Sequence, residues 1–278
     1  MSLKSSLKQL IGHINFNTSI RLNNKKIIVP LINNMGLLNR ALDNNDWFLR
    51  LLKILNLQAD DNFIDIGVNV GQTLLKFRSV SDSPYWGFEP NPSCVFYLNQ
   101  LIEANRFKQV SILPVGLSTA NSIAKFYIKN EVDSAGTIVN ELRPGYYNSD
   151  DITYVPLFSL DTLQLDIKGP ICLIKIDVEG AELEVLSGMP GTIKKHMPLI
   201  VCEVLDSHSE DTIANMQARA DKLLNLMQSL GYSVHRIIYS GNKLQSQPLA
   251  EIIIKKWTEA SWDQNDYIFV PANKQVPF

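Results

Sequence analysis

The stretch Asn62-Phe63-Ile64-Asp65-Ile66-Gly67-Val68-Asn69-Val70-Gly71-Gln72-Thr73 restricts the fold more than any other part of the chain. An apolar run of strand length meets two glycines and then the start of a helix. Strand, tight turn and helix in that order open a parallel α/β sheet. Gly67 and Gly71 bracket the turn, where glycine tolerates positive φ and lets a ligand approach the backbone. Asp65 stands at the strand end, and its carboxylate is expected to point into the crevice above the sheet, where open α/β sheets bind ligands. Twenty-four residues later a second short strand, Tyr85-Trp86-Gly87-Phe88, ends in Glu89. An acid at that tip is placed to accept both hydroxyls of a ribose. Together the two pieces describe a nucleoside-binding crevice.

The missing residues narrow the nucleoside. A dinucleotide site usually carries Gly-x-Gly-x-x-Gly, because backbone must fold around a pyrophosphate at a helix N-terminus. Here the middle position is Asn69. No Lys-Ser/Thr pair follows, so the turn is not a phosphate loop. Asp65 and Glu89 would repel phosphate and suit a cationic ligand. S-adenosylmethionine fits, with a sulfonium, an ammonium, a ribose and no phosphate. Three competing readings stay open: a glycine turn in another doubly wound enzyme, a nicotinamide-dependent sugar-modifying oxidoreductase, and a non-catalytic binding module on the same fold.

A length of 278 residues suits one large α/β domain with additions. A formal net charge of -2 gives no general attraction to nucleic acid. No apolar run reaches the length of a membrane span. The opening Met1-Ser2-Leu3-Lys4 lacks the apolar segment of a secretory leader. Cys94, Cys172 and Cys202 are widely spaced and odd in number, which argues against a disulfide framework or a zinc site. Cys172 and Cys202 sit in apolar runs and read as core residues. A cytoplasmic setting is therefore expected. The sequence leaves the oligomeric state open, a homo-oligomer included.

Residues 1–58 read as an N-terminal extension and 59–278 as the main domain. Leu3, Leu7, Leu10, Ile11 and Ile14 recur at helical spacing. Ser19 to Leu22 and Lys25 to Val29 flank Asn23-Asn24 as a small hairpin. Asp46 to Leu57 reads as a helix with Asn45 as cap. Strand-then-helix units follow, with strands at 62–66, 85–88 and Val110 to Val115. Asn91-Pro92 reads as a cap with proline at the first helical position. Residues 121–158 break the rhythm as a β insertion, with a polar loop Asp133-Ser134-Ala135-Gly136-Thr137, expected over the crevice. Strand four is Ile171 to Asp177, with a helix through Glu182 and Leu186. Strand five is Pro198 to Val204. A helix from Asp211 to Leu230 follows, with Gly231 at its end. Ser233 to Tyr239 and Tyr267 to Val270 close the sheet.

The second strong signal is Ile171-Cys172-Leu173-Ile174-Lys175-Ile176-Asp177-Val178-Glu179-Gly180-Ala181-Glu182. Side chains alternate along a strand, so Lys175 and Asp177 share a face. A lysine in a mostly buried strand is costly unless paired, and Asp177, Asp161 or Glu203 could pair with it. A structural ion pair and a catalytic lysine are both open readings.

With these residues in view, the chain resembles the FkbM family of S-adenosylmethionine-dependent methyltransferases. The resemblance lies in Phe63 to Thr73, Gly87-Phe-Glu-Pro-Asn-Pro92, Ser159-Leu-Asp-Thr-Leu163 and Lys175 to Leu186, and spans roughly residues 45 to 205. Val68 departs from it, where alanine is usual. The resemblance implies a Rossmann-like class I methyltransferase fold: a seven-stranded, mostly parallel sheet with helices on both faces, its last two strands an antiparallel hairpin. It also implies methyl transfer, commonly to a hydroxyl oxygen of a sugar or small natural product. Asp65, Gly67, Asn69 and Gly71 then belong to the donor loop, Glu89 to the ribose contact, and Gly116 and Leu117 to the adenine.

Methyl transfer requires removal of the acceptor's hydroxyl proton, and a carboxylate or histidine in reach can act as base. Asp177 is the first candidate, since the tip of strand four lies beside the donor. Glu203, ending strand five, is second; two neighbouring carboxylates push one pKa up. His208, in the loop after strand five, is third. His13, His196 and His235 read as structural. Asp177, Glu179, Glu182 and Glu203 could attract a divalent cation, yet no His/carboxylate spacing specifies one, so no metal is expected. The expected acceptor is a small molecule or glycan.

Overall fold

The computed structural model describes residues 15–129, 136–142, 146, 148, 151–240, 243–259 and 265–278. The amphipathic pattern from Leu3 to Ile14 with His13, the loop residues Asp133 to Ala135, and Trp262 lie outside them. The described chain opens with an antiparallel pair, β1 (Phe16–Leu22) and β2 (Lys25–Leu31). Asn23 and Asn24 make the turn with φ of 46° and 65°. Asparagine visits this left-handed backbone more readily than most residues, and tight hairpin turns require it. Two helices follow, α1 (Leu37–Arg40) and α2 (Trp47–Leu55). The cap of α2 is Asp46 rather than Asn45: its carboxylate accepts from the Leu49 amide at 3.0 Å. The same carboxylate holds Lys76 at 2.7 Å. The helix buries Phe48, Leu51 and Leu52 against Phe63 and Phe77.

The central units are β3 (Asn62–Ile66), α3 (Gln72–Val80), β4 (Tyr85–Phe88), α4 (Pro92–Asn105) and β5 (Val110–Leu113). Asn91 caps α4 by accepting from the Ser93 amide at 3.0 Å, with Pro92 at the first helical position. Buried Arg78, on α3, donates to the carbonyls of Ser81, Ser83, Lys108 and Gln109. One guanidinium thus satisfies the loops that lead into β4 and β5. A small separate sheet then forms from β6 (Gly116–Leu117), β7 (Ser122–Tyr127) and β8 (Ile152–Phe158), in the order β6-β8-β7.

The chain re-enters the main sheet with β9 (Ile171–Ile176), followed by α5 (Glu182–Ser187), α6 (Pro190–His196), β10 (Leu199–Glu203), α7 (Glu210–Ser229), β11 (Tyr232–Ser240), β12 (Lys243–Leu249) and β13 (Asp266–Pro271). The helix α6 is absent from the sequence reading. Gly188 ends α5 after six residues and Pro190 opens the next helix at its first turn. Cys202 is buried in the core, but Cys172 is half-buried and its thiol donates to Asp61 Oδ1 at 3.1 Å.

The main sheet has eight strands, ordered β12-β11-β13-β10-β9-β3-β4-β5, against the seven expected. The strands from β10 to β5 are parallel. The extra edge strand is β12, which folds back on β11 over seven residue pairs. The two closing strands do pair antiparallel, β11 with β13, but β12 lies between them in the chain, so the hairpin is β11–β12. From β3 the chain moves outward to β4 and β5, then returns to β9 on the other side of β3. That reversal leaves a crevice above the strand ends, the position where ligands bind in open α/β sheets.

Candidate active site

A cavity of about 210 Å³ lies above the C-terminal ends of β3, β4 and β9. The turn after β3 forms one wall. Gly67 has φ +86°, and a Cβ there would sit 1.8 Å from the Asp177 carbonyl oxygen. The two strand ends touch through backbone alone, which only glycine permits. Gly71 has φ +85° and opens α3, with a Cβ position 2.8 Å from Leu98. Between them Asn69 has φ +51°. The position that a dinucleotide fingerprint gives to glycine is therefore also left-handed here, and asparagine supplies it.

Glu89 is buried and lines the cavity. Its Oε2 accepts from the Asn69 amide at 2.7 Å and its Oε1 from the Asn91 amide at 2.8 Å. The carboxylate thus ties the glycine turn to the start of α4. Burial pushes its pKa up to about 7, against the lowering effect of the two amides. Gly116 and Leu117 also line the cavity, facing Phe126 and Leu157 of the small sheet. Gly136, Thr137 and Ile138 also belong to the lining. Thr137 is fastened down: its hydroxyl donates to the Glu179 carbonyl at 2.8 Å and accepts from the Val139 amide at 3.0 Å.

Asp65 does not line the cavity, contrary to the sequence expectation. It lies in the middle of the sheet with no exposure, where Tyr85 donates to its Oδ2. Its Oδ1 has no hydrogen-bond partner among the described residues. Burial pushes its pKa up to about 6, partly offset by Lys175, its neighbour across the β3–β9 ladder. Depth along the strand explains the difference: Asp65 is level with Lys175, two residues before the cavity-lining Asp177 on the same sheet face, and so lies below the crevice.

Asp177 and Glu203 both line the cavity. Lys175 Nζ sits 2.7 Å from Asp177 Oδ2, so the ion pair joins two residues of one strand end. Lys175 itself is not part of the lining. Burial would depress its pKa, but Asp177 and Asp65 raise it above its usual value and keep it charged. Asp177 is hydrogen-bonded to Glu203. Burial alone would raise Asp177, yet Lys175 and this hydrogen bond hold it below the carboxylate range. Glu203 is pushed well above its usual value by burial and then by Asp177. The two carboxyls are thus pushed apart, Asp177 toward its ionised form and Glu203 toward its protonated one.

His208 is exposed and outside the cavity lining; its ring lies 5.2 Å from that of Trp257. The histidines His196 and His235 sit elsewhere, His196 accepting the Ile171 amide at 3.2 Å. Glu182, one of the acids that could attract a cation, is buried and caps the turn after β9: its Oε1 accepts from the Gly180 amide at 2.8 Å. Arg219 of α7 clamps the same turn, donating to both oxygens of Glu184 and, at 2.8 Å, to the Gly180 carbonyl. No group of three metal-ligating side chains occurs among the described residues. The β insertion expected over the crevice does supply lining residues, Gly136 and Thr137 of the named loop among them; the sequence did not single out Phe126 and Leu157, since strand alternation does not show which face folds back.

These carboxyls make stability depend on pH in a definite direction. Burial raises Asp65 to about 6 and Glu89 and Glu182 to about 7. A raised folded-state pKa stabilises most below the unfolded value, near 4, and the benefit is lost as pH rises through 6–7. Asp177, lowered, works the opposite way at more acid pH. Each raised group contributes a slope of up to about 1.4 kcal/mol per pH unit. The ligand-free protein is therefore expected to melt about 5 °C or more lower at pH 8 than at pH 5.5. A melting temperature that is flat or rises over that interval, by calorimetry, would contradict the buried carboxyl assignments.

The model of the methyltransferase FkbM domain matches residues 65–234, more than half of the chain, so the chain belongs to that family. The match extends past residue 205, beyond the reach of the motif resemblance. Methyltransferase 1 of Beauveria bassiana (strain ARSEF 2860) is 25% identical over 193 residues, covering 63% of this chain and 74% of the relative. Among solved structures, methyltransferase FkbM of Methylobacillus flagellatus KT aligns with a TM-score of 0.45 at 13% identity, over 78% of this chain and 45% of that one. The chain thus spans less than half the length of that protein. Precorrin-6y C5,15-methyltransferase of Geobacter metallireducens GS-15 aligns with a TM-score of 0.37 at 13% identity, over 78% and 81% of the two chains. The protein is a methyltransferase of the Rossmann-like, class I fold. No helix among the described residues is long and apolar enough to cross a membrane.

Proposed function

We propose that this methyltransferase uses S-adenosylmethionine and methylates a hydroxyl oxygen of a saccharide, a glycolipid or a small natural product. The observation that carries the reading is Glu89, a buried carboxylate on the cavity wall held by the Asn69 and Asn91 amides. Each oxygen keeps a lone pair for one hydroxyl of a ribose diol. The charged residues lining the cavity, among those described, are Glu89, Asp177, Glu179 and Glu203, all acids. Such a wall suits a cation and opposes phosphate. A nicotinamide dinucleotide would bring its pyrophosphate against these carboxylates, which counts against the oxidoreductase reading.

The residues fit the donor. Gly67, Asn69 and Gly71 present backbone to it, Glu89 takes the ribose, and Gly116 and Leu117 with Phe126 and Leu157 offer an apolar slot for the adenine. When bound, the donor supplies a methyl group activated on a positively charged sulfur. The protein must hold the acceptor oxygen roughly 3–3.5 Å from that carbon. Asp177, ionised and braced by Lys175, takes the hydroxyl proton; Glu203, protonated, donates a hydrogen bond that orients it. Lys175 thereby serves the base without touching the acceptor, and His208 takes no part. The acidic wall favours neutral polyhydroxyl acceptors at the reacting end.

The test is a screen of glycans, glycolipids and nucleotide sugars with methyl-labelled donor. The expected product carries label that survives mild alkali, as an ether does. Label found only in alkali-labile esters or on amines would contradict oxygen methylation of a hydroxyl.

A further inference from the structure

At the same end of the sheet lies a third carboxyl that is not part of the cavity lining. Asp266 is the first residue of β13 and stands directly across the antiparallel ladder from Glu203. No hydrogen bond or salt bridge among the described residues engages its carboxylate. Burial pushes its pKa up to about 7, against the pull of Lys175. The charges around it are already committed. Lys175 is held by Asp177 and Lys76 by Asp46, while Glu179 adds a further negative charge near Glu203. Asp65 lies farther along the same sheet face. A third carboxyl in register with Glu203, on the strand next to the reacting groups, sets part of the field in which they titrate.

We propose that Asp266 is a positioning residue for methyl transfer, whose negative charge one strand from Glu203 keeps the shared proton on Glu203 and leaves Asp177 as the ionised partner. The inference rests on the reading of Asp177 and Glu203 as the proton-accepting pair. Like charges on directly opposed strand residues, with Cα atoms about 5 Å apart, oppose each other's ionisation. With Asp266 charged, Glu203 gives up its proton last and donates its hydrogen bond to Asp177. Asp177 then faces the acceptor with one oxygen on Lys175 and a carboxylate free to receive a proton. Without the Asp266 charge, Glu203 ionises at lower pH, although burial and Asp177 still raise it, and its hydrogen bond to Asp177 is lost correspondingly earlier.

The experiment is a pH titration of side-chain carboxyl carbons by NMR in protein labelled at glutamate, with Glu203 assigned by the loss of its signal in Glu203→Gln. In Asp266→Asn the Glu203 midpoint is expected to fall by about one pH unit or more. In Asp266→Glu, which restores the charge, it is expected to stay near the native value. A midpoint unmoved in Asp266→Asn, or moved equally in both variants, overturns the proposal; a purely structural residue would leave the midpoint alone. Titration of S-adenosylhomocysteine into the same native sample separates the two levels of the account. Failure of that ligand to bind counts against the methyl-donor reading, whereas an unmoved Glu203 midpoint with normal binding counts against the role of Asp266 alone.

Discussion

Asp177→Asn is expected to slow methyl transfer by about 10²–10⁴-fold while leaving donor affinity nearly unchanged, because a general base supplies rate rather than ground-state binding. Asn has the shape of Asp but accepts no proton at neutral pH. The native carboxylate is ionised because Lys175 sits 2.7 Å away and Glu203 donates to it. The substitution leaves Lys175 without its ion-pair partner, so some stability is lost; the Asp177 side chain is 35% exposed, which limits that loss through solvent screening. Circular dichroism and donor binding on the same sample separate misfolding from lost chemistry. Glu203→Gln is expected to cost less, about tenfold, because the amide still donates to Asp177 where the protonated acid did. If Glu203→Gln proves the more damaging variant, the two carboxyls exchange roles.

Glu89→Ala is expected to weaken donor binding by about 10²-fold or more. Two hydrogen bonds from ribose hydroxyls to an ionised, buried carboxylate are each worth about 1.5–3 kcal/mol. The alanine also frees the Asn69 and Asn91 amides, which now hold the turn against α4 at 2.7 and 2.8 Å. Glu89→Gln separates these effects by keeping an acceptor and the shape while losing the charge. The native protein should show donor affinity rising with pH through about 7, where Glu89 ionises. That rise should disappear in Glu89→Gln. An equal pH dependence in the two proteins, measured by calorimetric titration, would remove the ribose assignment.

The parts of this molecule that sequence exposes are those fixed by local backbone chemistry. Gly67, Gly71 and the Asn91-Pro92 start of α4 announce themselves, because positive φ and helix capping restrict residue choice strongly. The fold class follows from strands alternating with helices. Depth at strand ends is less visible. The strand bounds agree with the sequence reading, yet Asp65 lies level with Lys175, two residues short of the cavity-lining Asp177, and is enclosed by Tyr85 and Lys175 rather than open to the crevice. The edge strand β12, with polar Gln245 and Gln247, carries no apolar alternation and depends on β11 for its existence. The lining residues Phe126 and Leu157 depend on tertiary contacts between the small sheet and the turn after β9. Asp266 gains meaning only from its register against Glu203.

The central claim is that the acid-lined cavity above β3 and β9 binds an adenosyl thioether through Glu89. Calorimetric titration of S-adenosylhomocysteine into the folded native protein tests it most directly. Saturable heat corresponding to one molecule per chain, lost in Glu89→Ala, is the predicted result. A native protein of verified fold that gives no heat at millimolar ligand would contradict the account.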